Sequence, residues 1–74
     1  MSIPPGYDLS RDEITYLIQQ FIFNRRDRAM LFDRLIDGMT YEELAGKYYM
    51  SVRQIKNIVH KNKDIVFSHI DRLP

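Results

Sequence analysis

The sequence predicts an all-α fold: a compact four-helix domain containing a helix-turn-helix and closing with a long C-terminal helix. Three observations carry this expectation. Three Ser/Thr-x-x-Glu/Gln capping boxes punctuate the chain, Ser10 with Glu13, Thr40 with Glu43 and Ser51 with Gln54, and each marks where a helix begins. Behind each box the apolar residues recur at three- and four-residue spacing. No stretch alternates apolar and polar residues as a half-buried strand does.

After Ser10, the residues Ile14, Leu17, Ile18, Phe21 and Ile22 share one helical face, and the first helix is expected to run to about Asn24. Asn24 can cap a second helix, which carries Ala29, Phe32, Leu35 and Ile36 on one face and stops at Gly38, a residue suited to a left-handed terminus. From Thr40 a short third helix holds Leu44 and Ala45 inward and ends near Tyr48. Beyond Ser51, the residues Val52, Ile55, Ile58, Val59, Ile65, Val66, Ile70 and Leu73 form a single stripe if one helix runs unbroken from Val52 to Arg72. Asn62 and His69 then interrupt that stripe. The competing reading stops the helix near Lys61 and starts another at Asn62.

Composition bounds the function classes. With 74 residues the chain holds one small core, and 45% hydrophobic residues argue for a packed globule over disorder. Cysteine is absent, which excludes disulfides and thiolate metal sites, and two isolated histidines make no zinc site. No metal or other cofactor is expected. No apolar run approaches the roughly 20 residues of a membrane span, and MSIPPGYDLS lacks the basic and apolar regions of a signal peptide. A cytoplasmic protein without membrane association is expected, with residues 1–9 as a leader and 10–74 as the domain. Catalysis has no candidate residues: Glu42 and Glu43 stand at a helix N-terminus, where the helix dipole already accounts for them.

The net charge of +1 conceals an asymmetry. From Ser51 onward, Arg53, Lys56, Lys61, Lys63 and Arg72 face only Asp64 and Asp71, whereas acids outnumber bases before it. Positive charge is concentrated where it can meet a polyanion. Two helices flank the turn around Tyr49, with Ala45 as the small residue that lets them cross and Leu44, Met50, Ile55 and Ile58 filling the angle between them. Tyr49 falls at the left-handed turn position where glycine is common, and Tyr48 falls at a core position. On the last helix Arg53, Lys56, Asn57 and His60 are expected opposite the apolar stripe, with Lys61 and Lys63 at its flanks. Arg and Lys can donate to guanine edges or phosphates and Asn can pair with adenine. A solvated surface is the plain alternative for such a face.

The stretch RRDRAMLFDRLIDGMTYEELAGKYYMSVRQIKNIV resembles the C-terminal domain of bacterial sigma factors, a helix-turn-helix that reads an upstream promoter element. The likeness spans about residues 10–70, and its most specific parts are DGMTYEELA and MSVRQIKNI. It implies a recognition helix starting at Ser51, groove-reading side chains at Val52, Arg53, Lys56 and Asn57, and backbone contacts from Thr40 and Tyr41. Double-stranded DNA and RNA polymerase are the partners it implies. Typical sigma factors carry Arg where this chain has Val52 and Glu where it has Arg53, so their promoter sequence does not carry over. The chain shows no promoter-melting domain, and the resemblance implies a stand-alone regulator similar to those of prophages and mobile elements of Gram-positive bacteria. The alternative is a protein-interaction module, an adaptor or decoy for polymerase that does not read DNA.

Tyr16 and Phe23 stand seven residues apart on the outer side of the first helix. Either they form a protein contact, including that of a homodimer, or the N-terminal leader covers them.

Overall fold

In the computed structural model, which describes residues 9–73, four helices and one short 3-10 turn follow in order: α1 (Arg11–Phe21), α2 (Arg25–Leu35), α3 (Tyr41–Tyr48), α4 (Val52–Ser68) and the turn Ile70–Arg72. The described residues contain no strand. All three capping boxes close, with each hydroxyl accepting from the backbone N–H three residues on and each Glu or Gln side chain accepting from the cap's own N–H. Asn24 caps α2 by accepting from the Asp27 N–H at 3.0 Å.

α1 stops earlier than its apolar pattern indicates, at Phe21 rather than near Asn24. The cause is the next cap: Asn24 must be extended (φ −74, ψ 123) to serve α2, so the chain leaves helical geometry at Ile22. Arg28 then takes over the C-terminal end of α1 by donating Nε to the Ile22 carbonyl at 2.9 Å. α4 likewise ends at Ser68, short of the expected Arg72, because His69 (φ −108, ψ 20) leaves the α region and a 3-10 turn follows. It does not break at Lys61, and the competing reading fails.

α4 packs against α1, α2, α3 and the terminal turn, and so forms the axis of the molecule. Its Ile55, Val59 and Val66 join Ile14, Leu17, Ile18 and Ile22 of the α1 segment, Met30 and Leu31 of α2, and Leu44 of α3 in one core. Leu9 packs against this core from outside, whereas Pro4, Pro5 and Gly6 lie outside the described residues. Complete burial of a side chain such as Leu17 or Leu44 stabilises the fold by about 1.5–3 kcal/mol.

On α2 the buried face differs from the expected one. Met30 and Leu31 are fully buried, Phe32, Leu35 and Ile36 are half-buried, and Ala29 is exposed. α2 contacts α1, α3 and α4 at once, so it buries a broad arc rather than a single stripe. That arc includes the carboxylate of Asp33, which accepts from Tyr48 Oη at 2.6 Å and from Lys47 Nζ at 2.8 Å. Asn62 is buried too, and its Nδ2 donates to Asp27 Oδ2 at 3.1 Å and to the Ile58 carbonyl at 2.9 Å. His69 stacks on Phe21 with ring centroids 4.0 Å apart. Among the described residues no helix is long and apolar enough to cross a membrane.

Candidate nucleic-acid interface

The candidate surface is built on α3, the turn after it and the first half of α4. α3 ends in the conformation expected at Tyr49, left-handed with φ 56 and ψ 45, the only non-glycine residue with positive φ among those described. The N–H of Tyr49 and that of Met50 both reach back to the Ala45 carbonyl. Ser51 then caps α4 at once. Tyr48 lies half-buried, held by its bond to Asp33, and Tyr49 projects its ring with 95% of its surface exposed. Leu44 and Ile55 are fully buried at the crossing of α3 and α4, with Ala45, Met50 and Ile58 packed around them.

Burial of one side of α4 decides what the other side presents. Ile55, Val59, Asn62 and Val66 point inward, so Arg53, Gln54, Lys56, Asn57, His60 and Lys61 are all exposed. Ser51 and Thr40 are exposed as caps, and Val52 and Tyr41 are half-buried. The outward face divides in two. Arg53 and Asn57 lie opposite the core, whereas Lys56 and His60 lie toward α3 and meet Tyr41. Lys56 Nζ is 5.5 Å from the Tyr41 ring centroid, and the Tyr41 hydroxyl is 3.4 Å from His60 Nε2. Lys56 and His60, expected opposite the apolar stripe with Arg53 and Asn57, are exposed but lean instead to the α3 flank.

The electrostatics of this surface differ from those of the other helix starts. The boxes of α1 and α3 use Glu13 and Glu43, as the helix dipole favours. That of α4 uses neutral Gln54, and no acid stands in its first turn. Ion pairs among the described residues join Arg26 to Asp27 and Lys47 to Asp33, and neither involves α4. Among the described residues no carboxylate forms an ion pair with its cations, and the first acid along α4 is Asp64, one turn beyond Lys61.

Comparison of the chain with protein-family models, curated proteins and solved structures finds no match. The surface must therefore be read from its own chemistry.

Sequence reasoning missed two of its parts. Arg34, on α2, places its guanidinium 4.4 Å from the Tyr41 ring centroid and donates Nη1 to the Met39 carbonyl at 2.8 Å. Asp33 anchors the C-terminal end of α3 through Lys47 and Tyr48. Both act across 5 to 15 residues of chain, where no local pattern marks them. On α1 and the loop after it, Tyr16 is 37% and Phe23 78% exposed, so no described residue covers Phe23. Tyr16 shares a shallow recess with Asp12, Glu13 and Leu73. The suggestion that the leader covers both rings concerns residues outside those described. No group of three His, Asp or Glu among the described residues is placed to hold a metal.

Proposed function

We propose that α3, the Tyr49 turn and α4 act as a helix-turn-helix, and that the protein is a sequence-specific regulator of transcription that binds double-stranded DNA. The observation that carries this reading is the carboxylate-free, exposed face of α4. Arg53, Asn57 and Lys61 stand on a helix whose opposite side is locked into the core, so the face is rigid. A helix of this kind fits the major groove, where Arg or Lys donates to guanine and Asn pairs with adenine. In this reading Val52 packs on base edges, Thr40, Tyr41, Lys56, His60 and Lys61 meet the backbone, and Ser51 sets the start of the inserted helix. The resemblance to the sigma-factor C-terminal domain agrees with it and implies, in turn, a regulator of prophage or mobile-element type.

Selection from random duplex DNA tests the reading. A defined consensus, bound with an affinity that falls steeply as salt rises, supports it. A second reading, a polymerase adaptor or decoy that ignores DNA, draws on the exposed Tyr16 and Phe23. Polymerase binding with no enrichment of any duplex sequence favours that alternative.

A further inference from the structure

Four arginines stand on α2, and nothing in the sequence sets Arg34 apart from the others. The structure does. Arg26 is paired with Asp27 and Arg28 is spent on the C-terminal end of α1. Arg34 instead places its guanidinium carbon 4.4 Å from the ring centroid of Tyr41, a residue of a different helix, and uses only Nη1 in a hydrogen bond among the described residues. Lys56 approaches the same ring from α4 at 5.5 Å, and His60 meets its hydroxyl.

Two cations around one ring at these distances lie within about one Debye length of each other, about 10 Å at 0.1 M salt. No carboxylate among the described residues forms an ion pair with either, so their repulsion is not neutralised there. The ring face offsets part of that cost. The planar guanidinium, held by Met39 and Tyr41, keeps its remaining donors in a fixed fork suited to phosphate oxygens. Three helices thus bring Arg34, Tyr41, Lys56 and His60 to one edge of the candidate surface, beside the start of α3.

We propose that these four residues form a seat for a single DNA backbone phosphate, with Arg34 as its principal donor. This rests on the reading of α4 as the groove-reading helix, and the seat fixes how that helix is registered on the duplex. Phosphate contacts of this kind position a protein without selecting a base.

The test uses the full chain and its selected duplex, with each phosphate replaced in turn by a neutral methylphosphonate. One position is expected to weaken wild-type binding about tenfold, the size of a lost charge-assisted hydrogen bond. Arg34→Ala is expected to bind the unmodified duplex about tenfold more weakly, to lose nothing further at that one position, and to show a salt slope smaller by about one. Arg34→Gln, which keeps a donor within reach of Met39 but no charge, carries the same expectation if Arg34→Ala does not fold. Equal sensitivity of wild type and variant at every phosphate overturns the seat and leaves Arg34 a clasp for the loop before α3. Full affinity in both variants overturns it as well. In either case, if Arg53→Ala still loses discrimination, the groove-reading helix stands and only the seat falls. If no duplex is selected by the wild type, both fall.

Discussion

Tyr49 and Tyr48 are neighbours with opposite fates, and each makes a distinct prediction. Tyr49 holds a left-handed backbone that costs a β-carbon residue about 1–2 kcal/mol, and its ring, 95% exposed, returns almost no packing. Tyr49→Gly removes the strain but adds freedom to the unfolded chain. The net expectation is a gain of up to about 1 kcal/mol in denaturant melts, and a clear loss would reveal a contact of that ring. Tyr48 is tied down instead. Burial first, and then its bond to and charge repulsion from the Asp33 carboxylate, push the Tyr48 hydroxyl far above its ordinary value. A tyrosine harder to ionise in the folded than in the unfolded chain contributes stability that is complete below about pH 10 and fades as pH rises beyond it. Tyr48→Phe is expected to cost about 1–2 kcal/mol at neutral pH. The gap between wild type and variant should narrow above pH 10. A gap that stays constant across that range contradicts the burial of the hydroxyl beside Asp33.

The starts of the helices could be read from sequence because caps are local. Ser10, Asn24, Thr40 and Ser51 each bond to a residue three positions on, and all four begin helices where expected. The ends of α1 and α4 were less legible. Both apolar patterns continue past the helix, since Ile22, Ile70 and Leu73 pack against the core without being helical in the α sense. Asn62 shows the same limit within an element. Its place in the stripe marked it as a polar interruption, but Asp27, which satisfies it, lies 35 residues away. The seat around Tyr41 was half legible for this reason: Tyr41, Lys56 and His60 belong to the patterned helices, whereas Arg34 is recognised only by what it touches. For α4 itself, folding and binding are expected to separate. Arg53→Ala and Asn57→Ala, exposed and opposite the core, should shift stability by no more than about 0.5 kcal/mol. Each should cost about 1–3 kcal/mol of discrimination between the selected site and its single-base variants. Lys61→Ala, by contrast, should weaken binding to all sequences alike and flatten the salt dependence. Competition titrations at two salt concentrations distinguish these patterns, and Arg11→Ala, on the outer face of α1, is the control expected to change neither.

For the molecule as a whole, size sets the remaining constraint. With a radius of gyration of 11.9 Å it is near the compact limit for its length, about 11 Å, and the proposed function assigns a single helix, α4, to the groove. A single module of this kind buries about 600–1,000 Å² on DNA, and tight binding then calls for a second copy or a partner protein. The two surfaces that such an assembly needs are separate here: the cationic face follows the first half of α4, while Tyr16 and Phe23 project from α1 and the loop behind it. Phe23 is 78% exposed against 37% for Tyr16, so of the two rings it offers the larger apolar surface to a partner. Neither ring belongs to the buried core, so replacing both by serine should leave helix content by circular dichroism unchanged. Sedimentation and DNA titration should then show weaker self-association and a loss of cooperativity between adjacent sites, with affinity for one isolated site retained. If the wild-type protein is monomeric at all concentrations and the double variant binds DNA and polymerase as the wild type does, the aromatic pair is not an assembly surface, and the whole of the affinity must come from α4 and the seat beside it.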